Sequence, residues 1–161
     1  MKTNYNPRLY LDCDGVLADF DTAFKHHFGT TPKSYENKYG TNKFWETIKI
    51  KTPNFYRELP LMKDAKELFD ATKELRPLIL TGCPKGGWAE PQKLAWGQEH
   101  FKGTPMIVCK SVDKRNFCQP GDILVDDRTK YEKLWIEAGG IFVHHKNTLS
   151  TIQTLKNIQI I

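Results

Sequence analysis

The sequence predicts an α/β fold, a doubly wound parallel sheet with a small helical cap inserted after the first strand. Three observations predict it. Short apolar runs at residues 9–11, 78–80 and 123–125 each end in polar groups, as strands do where they leave a sheet. Stretches between the later runs carry apolar residues at helical spacing, and strands alternating with helices build parallel sheets. More than fifty residues separate the first run from Leu78 without a convincing strand, too many for a structureless loop in a compact domain.

Taken in order, Leu9-Tyr10-Leu11 is the first strand, Asp12 its last residue, and Asp14 the first residue of a loop turned by Gly15. A helix over 19–28 follows from Phe20, Ala23, Phe24 and Phe28, with Gly29 as its stop. A second cap helix is expected over 41–50, capped by Thr41 or Asn42 and broken by Pro53. The crossover helix over 64–75 shows Ala65, Leu68, Phe69, Thr72 and Leu75 on one face and leads into a strand at 78–80. Helices at 91–101, 128–138 and 149–156 and strands at 106–108 and 141–143 complete the alternation. Residues 1–18 and 62–161 then form the core and 19–61 the cap. At 161 residues the chain is long enough for one core and too short for two full domains.

The chemistry lies where the apolar runs end. In open α/β sheets ligands bind at the carboxyl ends of the strands, and there Asp12 and Asp14 stand two residues apart. Carboxylates so close repel unless a cation or a shared proton relieves them. Asp-x-Asp-Gly alone is equally a plain turn. A second acidic ending, Ile123-Leu124-Val125-Asp126-Asp127, has the same grammar, and adjacent aspartates after a buried strand suit metal ligands better than a solvated face. Leu78-Ile79-Leu80 ends in Thr81-Gly82, a hydroxyl and a glycine where side-chain and backbone donors hold a phosphate.

With these motifs the chain resembles the haloacid dehalogenase (HAD) superfamily of phosphohydrolases, whose core is Rossmann-like. Asp12-Cys13-Asp14-Gly15-Val16 matches its first motif, Leu80-Thr81-Gly82 the second, a lysine before the last motif the third, and Asp126-Asp127 the fourth. Asp14-Gly15-Val16-Leu17-Ala18-Asp19-Phe20, Phe55-Tyr56-Arg57-Glu58-Leu59-Pro60 and the stretch from Pro120 to Arg128 resemble, more narrowly, the 5'(3')-deoxyribonucleotidases and their phage and bacterial relatives. The resemblance implies that Asp12 is a nucleophile and Asp14 a general acid and base. It implies Mg2+ held by Asp12, the backbone carbonyl of Asp14 and Asp126, with Asp127 binding through a water or orienting the others. Thr81, Gly82 and a lysine would hold the phosphoryl oxygens. The lysine is Lys114 by the nucleotidase pattern, with Lys110, after the apolar run at 106–108, as the alternative; Gly82 departs from the serine or asparagine common among relatives.

The cap is aromatic for its size. Phe20 and Trp45 are expected to face the site and stack a nucleobase, while about half of Phe20, Phe44, Trp45, Phe55 and Tyr56 should make the cap's own core. The expected partner is a small phosphate monoester, a nucleotide by preference. A formal net charge of +5 also suits nucleic acid, yet no block of like charges forms a binding arm. Cys13, Cys83, Cys109 and Cys118 follow no zinc spacing and read as free thiols, and no histidine is placed to activate either Cys13 or Cys83. His26, His27, His100, His144 and His145 read as surface or packing residues. No run approaches the roughly eighteen apolar residues of a membrane span, and the first strand begins within ten residues of Met1, so a soluble cytoplasmic protein is expected.

Overall fold

The computed structural model describes residues 5–161. Its elements are β1 (Leu9–Leu11), α1 (Phe20–Phe28), α2 (Pro32–Tyr39), α3 (Thr41–Lys51), α4 (Ala65–Thr72), which tightens into a 3-10 turn at Lys73–Leu75, and β2 (Leu78–Gly82). Then come α5 (Glu90–His100), β3 (Met106–Cys109), a 3-10 segment (Ser111–Phe117), β4 (Ile123–Asp126), α6 (Glu132–Glu137), β5 (Ile141–His144) and α7 (Thr148–Asn157).

The strands form one sheet in the order β3-β2-β1-β4-β5, every pair parallel. Starting in the middle, the chain winds outward through β2 and β3, then crosses back to β4 and β5 on the other side. That reversal opens a crevice beside β1 at the carboxyl edge. Register decides what meets there. Leu11 pairs with Val125, so the next residues, Asp12 and Asp126, come out side by side.

Alternation along the strands splits the apolar side chains between two faces. Leu9, Leu11, Ile79, Ile123 and Val125 join the larger core, with Ala65 and Leu68 of α4, Trp96 of α5, Leu155 of α7 and the aromatics Phe20, Phe24, Phe44, Phe55 and Tyr56. Tyr10, Leu80 and Leu124 point the other way, onto Cys118 and Trp135. Trp135 meets Tyr10 edge-on, with ring centroids 5.6 Å apart.

Several boundaries differ from the sequence reading for local reasons. Asp12 lies one residue beyond β1, although its N–H still donates to Val125 O at 2.9 Å. The helix α2 was not expected: it buries none of its residues, so it carries no apolar stripe to read. Pro32 in its first turn and the Thr31 hydroxyl accepting from Ser34 N define its start instead. The cap of α3 is Gly40 rather than Thr41 or Asn42, because the same glycine closes α2 and Thr41 is drawn into the first turn. The helix expected over 128–138 shrinks to α6; Arg128 N donates to Asp126 Oδ1 at 3.0 Å, which holds the chain in a turn after β4. Among the described residues, no helix is long and apolar enough to cross a membrane.

Candidate active site

A cavity of about 220 Å³ opens at the carboxyl edge of the sheet, walled by Asp12, Asp14, Gly82, Lys114, Asp126 and Asp127. The loop after β1 makes it possible. Val16, Leu17 and Ala18 all donate their N–H groups to Cys13 O at 2.8–3.1 Å, a tight coil that returns Asp14 beside Asp12. Gly15 sits in that coil at φ +83°, a conformation L side chains rarely adopt, and a Cβ there would collide with the Asp127 carboxylate. Only glycine lets the first and last acidic motifs close on each other.

Asp12, Asp126 and Asp127 each present an oxygen within 4.8 Å of the others. Lys114 Nζ stands between two of them, 3.0 Å from Asp12 Oδ1 and 2.9 Å from Asp126 Oδ2. Burial works against the lysine's charge, but Asp12 and Asp126 hold its pKa above the ordinary lysine value. One ammonium does not balance three acids. Burial, together with the neighbouring Asp12 charge, pushes both Asp126 and Asp127 above the usual carboxylate range. Asp127 Oδ1 is buried without a partner among the described residues. Clustered carboxylate oxygens, one of them unpartnered, are the donor set of a small hard cation.

Lys110 is exposed and caps the 3-10 segment, whereas one turn later Lys114 is buried at the carboxylates. Thr81 is fully buried behind the cavity wall. Gly82 has ordinary backbone geometry and is required for space: a side chain at this position would run into Ser111 Oγ, the start of the segment that carries Lys114. Ser111 itself lines the cavity, so the third wall of the site is fitted to the absence of a side chain on β2.

From α1, α3 and the segment before α4, Phe20, Trp45 and Tyr56 reach the cavity. Phe20 also packs against Phe24, Phe44, Trp45, Phe55 and Tyr56, so it is at once cavity wall and centre of an aromatic cluster. Phe44 and Phe55 are buried and absent from the wall. Arg115, Arg128 and Lys130 contribute exposed cations to the opposite rim.

The sequence reading passed over Lys93. It is 2 % exposed, and its ammonium lies 2.7 Å from Asp14 Oδ2, 3.0 Å from Thr81 Oγ1 and 4.5 Å from the centre of the Tyr56 ring. Periodicity held the signal: Lys93, Trp96 and Gly97 form the buried stripe of α5, in line with Ala89 at its N-cap, and a lysine within such a stripe demands a partner.

Of the four cysteines, all unpaired, Cys13 is buried between the two motif aspartates, and burial with the Asp14 charge holds its thiol well above the usual value. It stays protonated, which makes it a poor nucleophile. His145 is buried with its ring Nδ1 2.7 Å from Thr151 Oγ1, while His26, His27 and His144 are exposed.

No family model matches the sequence, and neither does any curated protein. Solved structures do resemble the fold. One is a Had-superfamily hydrolase from Ehrlichia chaffeensis, with a TM-score of 0.54 and 16% identity, covering 94% of this chain and 96% of that one. Another is a hydrolase from Streptococcus pneumoniae TIGR4, with a TM-score of 0.54 and 14% identity, covering 92% and 97%. At such identities the likeness is one of fold, and it spans nearly the whole of each chain.

Proposed function

We propose that the chain is a Mg2+-dependent phosphatase that hydrolyses phosphate monoesters through an aspartyl-phosphate, with nucleoside 5'-monophosphates as its substrates and deoxyribonucleotides first among them. The observation that carries this reading is the meeting of Asp12, Asp14, Lys114, Asp126 and Asp127 around one cavity at the switch point of the sheet. The likeness of fold to solved hydrolases supports it. In this reading residues 19–61 are the cap and the rest of the chain the core.

Asp12 attacks phosphorus, and Lys114, bonded to Asp12 Oδ1, meets the charge of the incoming phosphate. Asp14 donates a proton to the departing alcohol oxygen, then takes one from the water that cleaves the aspartyl-phosphate. In this reading Gly82 lines the cavity on the β2 side of the transferred group, and Thr81, buried behind it, bears on the site through Lys93. Held by Asp12, the Asp14 carbonyl, Asp126 and Asp127, Mg2+ would offset both the substrate charge and the repulsion among the carboxylates. Phe20, Trp45 and Tyr56 form an aromatic wall suited to stacking a base. The Arg115, Arg128 and Lys130 rim favours a second reading, a phosphorylated nucleic-acid end, since cations lining the same cavity would hold further phosphates.

The test is phosphate release from ribo- and deoxyribonucleoside 5'- and 3'-monophosphates, sugar phosphates and a 5'-phosphorylated oligonucleotide, in Mg2+ and in EDTA, with Asp12→Asn as control. Metal-dependent release concentrated on deoxynucleotides supports the proposal in full. Release confined to sugar phosphates keeps the chemistry and removes the nucleotide, and a preference for the oligonucleotide selects the second reading. Folded protein that releases phosphate from nothing makes the chain a binding module on a hydrolase fold.

A further inference from the structure

We propose that Lys93 is the positioning residue of Asp14: its ammonium clamps one carboxylate oxygen of Asp14 together with the Thr81 hydroxyl, leaving the other Asp14 oxygen free to carry the proton. The inference rests on the phosphatase reading and gives a role to a side chain that reading does not use.

A lysine buried on the apolar stripe of a helix loses its hydration and is tolerated only where partners replace it. Each polar or π partner of Lys93 belongs to the site. Asp14 comes from the loop after β1, Thr81 from β2 and Tyr56 from the segment between α3 and α4, so one ammonium ties three parts of the chain together.

The hydrogen bonds are also selective. Lys93 engages Asp14 Oδ2 and leaves Oδ1, which is buried and has no partner among the described residues. An unpartnered buried carboxylate oxygen is costly unless something binds there. With Oδ2 fixed at 2.7 Å by a side chain that is itself immobilised, the carboxylate has one orientation and Oδ1 is its working atom. Thr81 Oγ1 accepts from the same ammonium at 3.0 Å and donates its own hydrogen to Gly82 O at 3.3 Å, so the hydroxyl too is held in place.

The chemistry needs this constraint twice. As the Asp12–phosphorus bond forms and the ester P–O bond breaks, a proton passes from Asp14 to the departing oxygen. When water attacks, its proton returns to Asp14 as the Asp12–phosphorus bond breaks. General acid assistance matters most when the leaving group is a poor one, so a misplaced Asp14 penalises alkyl esters far more than activated aryl esters.

The experiment compares kcat/KM for benzyl phosphate and 4-nitrophenyl phosphate in the full chain, Lys93→Met and Lys93→Gln, with thermal unfolding run on each. Lys93→Met should lose about 10- to 100-fold more on benzyl phosphate than on 4-nitrophenyl phosphate, within the range general acid catalysis supplies. Lys93→Gln, whose amide still donates, should recover part of that difference, and it carries the comparison if the methionine variant does not fold. Equal losses on the two esters, or a glutamine variant no better than methionine, would overturn the proposal. Should the unaltered chain hydrolyse neither ester nor any nucleotide, the phosphatase reading falls and this inference with it.

Discussion

Replacing Gly82 by alanine tests whether β2 and the 3-10 segment are fitted to each other. The added Cβ is driven into Ser111 Oγ, and it also stands 3.1 Å from Ser111 Cβ and 3.3 Å from Ser111 Cα. The hydroxyl can rotate aside, but the Cβ and the backbone cannot, so the start of the segment must retreat by a few tenths of an ångström. Overpacking of this kind costs about 1–3 kcal/mol, or roughly 2–12 °C in Tm for a chain of this size at about 2–4 °C per kcal/mol. The retreat also displaces Lys114, which follows on the same segment. A misplacement near 1 Å costs on the order of 100-fold in rate. Ser111→Gly removes the Oγ and Cβ but leaves the Cα, so the double variant should recover most of the stability and not all of it. Urea unfolding of the four proteins closes a double-mutant cycle with an expected coupling of about 1–2 kcal/mol, inside the usual range for touching residues. Phosphate release is measured on the same samples. Simple additivity, with a coupling under about 0.5 kcal/mol, would refute the steric argument and free Gly82 for some other explanation.

Gly15→Ala should destabilise by more than about 1 kcal/mol and weaken divalent-cation binding measured by titration calorimetry. Gly121→Ala, whose glycine has φ +91° but faces Pro7 instead of a carboxylate, should show the stability loss with cation binding intact. Trp45→Ala should raise KM for a nucleotide about tenfold or more while changing KM for 4-nitrophenyl phosphate little; an equal rise for both would return Trp45 to the cap core, where it already meets Phe44 at 4.7 Å. Burial lowers the His145 pKa, outweighing the attraction of Asp64, and His144 adds to the lowering. The fold therefore prefers neutral His145, and stability should fall as pH drops below the unfolded value of about 6.5, until the lower folded value is passed. His145→Gln should flatten the urea midpoint between pH 8 and 5, and parallel curves for the two proteins would contradict it.

Much of the site could be read from residues alone because its carriers lie next to strand ends. Asp12, Asp14, Asp126, Asp127 and Thr81 are adjacent in sequence to apolar runs whose fate in a parallel sheet is narrowly constrained, and Lys114 stood as one of two lysines. The long gap before Leu78 announced extra helices, though not α2, which buries no residue and so follows no apolar period. Boundaries moved where a local hydrogen bond overrode periodicity, as at Arg128, or where one glycine served two helices, as at Gly40.

By itself the sequence determined the fold class and the chemical inventory: alternating strands and helices, acids at two strand ends, a hydroxyl at a third. Local patterns suffice for these, since strand and helix periods and turn residues act over a few positions. Only the tertiary structure decided which groups meet. The β1/β4 register sets Asp12 beside Asp126, the 3-10 segment turns Lys114 inward and leaves Lys110 in solvent, and Gly15 and Gly82 make room for Asp127 and Ser111. Lys93 reaches Asp14 across 79 residues of chain. No motif spacing encodes that contact, because it arises where the buried stripe of one helix packs against the open edge of the sheet.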